Sequence, residues 1–88
     1  MEQMDETKIY SSEEIQDGYI LAVIREVIEI LTERGYNPTY QLVGYLMSGD
    51  LGYITSYKNA RQKIMQFDRT KILESLVKLC VEKWEFLG

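Results

Sequence analysis

Arg34-Gly35-Tyr36-Asn37-Pro38-Thr39-Tyr40-Gln41-Leu42-Val43-Gly44-Tyr45-Leu46-Met47-Ser48-Gly49-Asp50 is the stretch on which the fold turns. It packs three glycines, an asparagine, an aspartate and the single proline of the chain into seventeen positions, and none of them forms a recognisable catalytic constellation. Each has a local job. Gly35 stops a preceding helix, because glycine enters the left-handed cap conformation without a Cβ penalty. Asn37-Pro38 starts the next one: Asn37 is the N-cap, and Pro38 takes the first helical position, where its missing N–H leaves no bond unmade. That helix spans about 38–48, with Leu42, Val43, Tyr45 and Leu46 facing inward, and Gly49 ends it. Asp50 then caps a short turn through Tyr53. Gly44, inside the helix, costs about 1 kcal/mol against alanine. The expected compensation is close approach of another backbone at a dimer core. Tyr36, Tyr40, Tyr45 and Gln41 supply hydroxyls and an amide, with core packing the expected role of Tyr45. The candidate scaffold and dimer residues are thus Gly35, Asn37, Pro38, Gln41, Gly44, Tyr45, Gly49 and Asp50.

Upstream, residues 1–10 are polar, charged and without period, which reads as a flexible N-terminal tail. Ser11 and Glu14 have the spacing of a capping box. Ile15, Tyr19, Ile20, Val23, Ile24, Val27, Ile28 and Leu31 follow at helical spacing. Downstream, Ile54, Tyr57, Ala60, Ile64 and Phe67 predict a third helix over about 55–66. Asp68 reads as the N-cap of a fourth over about 69–86, with its stripe at Ile72, Leu73, Leu76, Val77, Cys80 and Trp84. No segment reads as a strand. The expected architecture is all-α: a compact four-to-five-helix bundle over residues 11–88, one helical domain behind the tail.

Eighty-eight residues, 45% of them apolar and seven of them tyrosine, hold more apolar side chain than so small a core needs. A homodimer, with part of that surface at its interface, is therefore expected. The net charge of −4 is unevenly spread. Residues 1–33 carry about −7 and residues 34–88 about +3, a polarity that favours docking of unlike ends. Cys80 cannot form a disulfide within the chain and reads as a packing residue, in keeping with a reducing, cytoplasmic location. No apolar run approaches the ~20 residues that span a bilayer, and the acidic N-terminus is no signal peptide.

The chemistry that would mark an enzyme is missing. The chain has no histidine and one cysteine, which excludes the usual zinc sites and leaves a serine or cysteine nucleophile without its customary base. The glycines fit neither phosphate-cradling signature. Glu13 and Glu14 sit at a helix start, where carboxylates suit the dipole. No cofactor and no metal are expected. The competing reading is a small helix-turn-helix-like nucleic-acid-binding regulator, with Lys58, Arg61, Lys63, Arg69 and Lys71 on phosphates. A recognition helix from Pro38 to Ser48 without arginine or lysine disfavours it; pairing of those bases with acids of the first helix, or of its twin in a second subunit, is the plainer expectation.

Glu33-Arg34-Gly35-Tyr36-Asn37-Pro38, Gln41 to Leu46, Ser48-Gly49-Asp50, Tyr53 to Ser56, Asn59-Ala60-Arg61, Asp68-Arg69 and Ile72-Leu73-Glu74 together make a pattern. In these residues, over about positions 5–80, the chain resembles the IreB-type family of small regulatory phosphoproteins of Gram-positive bacteria. The resemblance implies a cytosolic, non-enzymatic helical homodimer. It also implies a substrate of a transmembrane serine/threonine kinase with its cognate phosphatase, acting through an unknown downstream protein on the cell-envelope stress response and on tolerance to cell-wall antibiotics. The family's phosphoacceptor is a tail threonine in an Asp-Glu-Thr context, which carries over to Thr7. Leu51 stands where proline commonly follows Ser-Gly-Asp. Gln3 and Met4 stand where a second tail threonine is found, so single phosphorylation is expected. The residues agree with Thr7 independently: kinases need an extended segment, and the tail is the only long one. A phosphate there is expected to be repelled by the acidic first helix and to dock beside Arg61, Lys63 or Arg69. A Thr7 that is simply solvent-exposed tail is the plainer alternative.

Overall fold

The computed structural model describes residues 9–87, with side chains described through Lys83. It contains helices α1 (Ser12–Glu33), α2 (Pro38–Ser48), α3 (Ala60–Met65) and α4 (Arg69–Leu87), with 3-10 turns at Leu51–Tyr53 and Tyr57–Asn59. No strand occurs among the described residues, so the expected all-α class is what forms. Residues 1–8 of the expected tail, Thr7 among them, and the Trp84 side chain lie outside what is described.

The ends of α1 follow from local bonds. Glu14 N–H donates to Ser11 Oγ at 3.0 Å and Ser11 N–H to Glu14 Oε1 at 2.9 Å, the reciprocal capping box. At the other end Gly35 has φ +84°. Its N–H donates to Thr32 O, while Tyr36 N–H reaches back to Leu31 O at 2.9 Å, the 6→1 and 5→2 pair of a Schellman stop. Asn37 Oδ1 accepts from Tyr40 N–H at 3.0 Å and Pro38 opens α2. Gly49, at φ +77°, closes it. Asp50 Oδ1 takes Gly52 N–H at 2.8 Å and so starts the first 3-10 turn.

Ile20, Val23, Ile24, Val27, Ile30 and Leu31 form the buried stripe of α1, and Tyr45, Ile54, Ala60, Ile64 and Ile72 close over it. α3 and α4 pack on α1, while α2 packs on the first 3-10 turn and α1. Ser75 is the buried polar member, and its hydroxyl donates to Asp17 Oδ1 at 2.8 Å, as a polar group in such a place must. Tyr19 and Phe67 meet edge to face with ring centroids 5.5 Å apart.

Several expectations change. The helix over 55–66 is instead a 3-10 turn and a short α3, separated where Lys58 (φ +52°) and Asn59 (φ +61°) take left-handed conformations. Ile15, Tyr19, Ile28, Val43, Tyr57, Leu73 and Val77 are exposed rather than inward, and Cys80 is exposed rather than packed. Ile30 is buried although it lay outside the expected stripe. Helical spacing identifies residues that share a face; it does not say which of two apolar faces finds a neighbour.

Candidate functional site

Gly35, Asn37, Pro38, Gly49 and Asp50 are spent on the chain reversals just described. Gln41 holds the next turn, its Nε2 donating to Tyr53 O at 2.8 Å. Tyr45 is core, 5% exposed. Within the chain, the nearest neighbour of Gly44 is a side chain. A Cβ there would lie 2.4 Å from Tyr53 Cε1, so the glycine makes room for a ring of the same chain. Over Gly49 lies the Arg69 guanidinium, which donates to Leu46 O at 3.1 Å and ties α4 to α2. These eight residues shape the scaffold and do not converge on a chemical site.

What the scaffold presents is apolar surface. Tyr40, Val43 and Met47 recur at i, i+3 and i+7 on the outward side of α2, with exposed Tyr36 in the turn before it, and Met47 is 81% exposed. The whole of α2 is without charge. On α4, Leu73, Val77 and Val81 repeat every four residues, each exposed. The helices share a shallow cleft lined by Leu46, Asp68, Arg69, Thr70 and Leu73. Exposed apolar stripes rimmed by polar groups mark interaction sites on small soluble proteins. Helical spacing alone puts Val43, Leu73 and Val77 inside, so the excess of apolar residues is the one sequence signal for this surface.

Several of the basic residues of the nucleic-acid reading are engaged within the chain. Lys58 Nζ pairs with Glu33 at 3.1 Å and Lys63 with Glu26 at 3.5 Å. Arg61 Nε donates to Ile54 O at 2.7 Å. The plainer expectation, bases against the acids of α1, is therefore what these pairs display. A phosphate-facing stripe on α2 has no cation to build it, which weakens the helix-turn-helix reading.

The tightest polar cluster was not anticipated. Lys78 bridges Glu13 and Asp17, the latter at 3.0 Å, and Asp17 also accepts from Ser75. The hydrogen bond from Lys78 holds the Glu13 carboxyl below its ordinary value, with Lys78 and Lys71 charges adding to it. Asp17 is lowered first by the Ser75 hydroxyl, then by Lys78, and Lys78 is raised by both carboxylates, Glu13 foremost. Glu13 and Asp17 one turn apart, opposite a lysine in the middle of α4, were the available signal, but only the antiparallel pairing of α1 and α4 makes it legible.

Lowered carboxylate values mean stability that is present above the unfolded-state range near pH ~4 and lost as pH falls through the folded values. The melting temperature is expected to drop as pH falls below about 4, and Lys78→Gln to flatten that acid limb. Thermal melts by circular dichroism check it; identical limbs in the two proteins would show that the cluster contributes nothing.

Among the described residues no group of three or more Cys, Asp and Glu is placed to hold a metal ion, and no described helix is long and apolar enough to cross a membrane. Comparison with known proteins gives a consistent result. Residues 5–82 match the model of a family described as IreB regulatory phosphoprotein. A protein of Lachnoclostridium phytofermentans named UPF0297 protein is 54% identical over 59 residues, 62% of this chain and 67% of the relative. One of Ruminiclostridium cellulolyticum with the same name is 37% identical over 79 residues, 90% of each.

Proposed function

The chain belongs to the IreB regulatory phosphoprotein family, and from that premise we propose that it is a non-enzymatic, cytoplasmic regulator acting as a homodimer and switched by phosphorylation of Thr7. The kinase is a transmembrane serine/threonine kinase opposed by its phosphatase, and the output is the cell-envelope stress response and tolerance to cell-wall antibiotics. Residues 11–88 act as one helical domain that presents surface to other proteins. The observation that carries this reading is the uncharged, outward apolar face of α2 on a protein whose family is one of regulatory phosphoproteins. Such a face is suited to protein contact and has no groups for catalysis. Asp5-Glu6-Thr7 lies within the span that the family model matches, which supports Thr7 as the acceptor.

Intact-mass and peptide mass spectrometry of the protein from its native host, with and without a cell-wall antibiotic, tests the switch. The expected result is one phosphate, on Thr7, whose occupancy changes with the antibiotic. A chain unmodified in every condition removes the kinase from the reading.

A further inference from the structure

If Thr7 carries a phosphate, the chain limits where that group can go. Residues 8–11 link Thr7 to Ser12, the first residue of α1. At ~3.6 Å per extended residue the threonine stays within roughly 18 Å of Ser12. α1 advances ~1.5 Å per residue, so Glu26, where Lys63 is engaged, lies roughly 21 Å along it. Glu33, where Lys58 is engaged, lies roughly 31 Å along. The first is already past the ~18 Å reach of a taut link and the second well past it. Arg69 precedes Lys78 on α4 by about 13 Å of helix and holds Leu46 O. Glu13 and Asp17, by contrast, are within the first two turns, and both sit on Lys78.

The two carboxylates do not hold Lys78 equally. Asp17 has a side chain 17% exposed and is anchored by Ser75, whereas the Glu13 side chain is 58% exposed and has no second described hydrogen-bond partner. Lys71, by contrast, is engaged with Glu74 of its own helix at 2.9 Å. A phosphomonoester brings about −1.5 to −2 charge and three strong acceptor oxygens to Lys78, against a single charge on Glu13.

We propose that Lys78 is an intramolecular binding site for a phosphomonoester on Thr7, which takes the place of Glu13 while Asp17 stays on Ser75. Docking here replaces the expected partners Arg61, Lys63 and Arg69 with the lysine already engaged in the first two turns of α1. It sets the phosphate one residue from Val77, beside the outward stripe of α4, and unties the first turn of α1 from α4. The inference rests on the Thr7 reading above, but its test does not need the kinase.

The full chain with phosphothreonine installed at position 7 by semisynthesis is titrated by phosphorus-31 NMR. A phosphate held by a lysine keeps its dianion to lower pH, so its second pKa is expected about half a unit or more below the free value near 6. Lys78→Gln should return it to the free value. Glu13→Gln, which keeps the lysine and removes the competitor, should lower it further and move the Lys78 ammonium resonance. A pKa equal to the free value in the phosphorylated wild type, unaltered by Glu13→Gln, overturns the proposal, and so do shifts confined to residues 1–10. An unphosphorylated Thr7 in the native host would remove the kinase reading and leave this result standing.

Discussion

Gly44→Ala is expected to destabilise the fold by about 1–3 kcal/mol, although alanine is the better helix former by ~1 kcal/mol. The sign is reversed by the Tyr53 ring. An added Cβ would lie 2.4, 2.5 and 2.8 Å from its Cε1, Cδ1 and Cζ, far inside van der Waals contact. The ring has little freedom to retreat. Tyr53 O is held by Gln41 Nε2 at 2.8 Å, Tyr53 N–H bonds Asp50 O at 3.1 Å, and the side chain packs on the core cluster. Either α2 moves off the turn or the turn moves off α2, and both lose packing. In a domain with only ~5–15 kcal/mol of stability, and with ~4–8 °C of melting temperature per kcal/mol at this size, the loss is plain in a urea titration. Gly44→Leu should prevent folding. The control is the double variant: in a Tyr53→Ala background Gly44→Ala should become neutral or stabilising, a coupling of opposite sign to the single change. A higher urea midpoint for Gly44→Ala in the wild type would refute the steric account. Because the ring belongs to the same chain, the effect should not depend on protein concentration, as a glycine buried between two subunits would require.

The contrast between what was legible and what was not has a physical basis. Ser11, Gly35, Asn37, Pro38, Gly49 and Asp50 are read correctly because a cap is settled by bonds to residues two to five positions away. The break at Lys58 and Asn59 has no glycine or proline to announce it. Asn59 tolerates the left-handed region. Lys58 is held there in company with Glu33, 25 positions earlier, and with the Tyr57 ring, a contact that exists only after folding. Burial fails for a related reason. α2 and α4 have apolar residues on more than one side, and α1 is the long helix on which both pack. Tyr45 and Ile72 find it, while Val43 and Val77, equally apolar, face away. The same excess that blurred the core assignment is what points to an interface.

Met47→Asp and Val77→Asp should each convert the proposed homodimer to monomer while leaving the fold intact. Met47 is 81% and Val77 59% exposed, so in the isolated chain either carboxylate stays hydrated and stability should move by no more than about 0.5 kcal/mol. In a dimer that covers these positions, the new charge must be stripped of water with no cation opposite, which costs several kcal/mol. At ~1.4 kcal/mol per tenfold, a 3 kcal/mol loss weakens association by more than a hundredfold. Both variants should act, because neither stripe suffices alone. A stable interface buries about 800 Å² on each partner and involves roughly 20 or more residues a side, whereas each helix offers three or four exposed apolar side chains. The cleft lined by Leu46, Arg69 and Leu73 joins the two helices, so the expected interface draws on both stripes and on the polar residues around them. Sedimentation equilibrium at tens of micromolar, with circular dichroism melts as the folding control, reads the outcome. Two variants as dimeric as the wild type would move the interface elsewhere, whereas loss of the dimer in Val77→Asp alone would confine it to α4 and leave the uncharged face of α2 for the downstream protein.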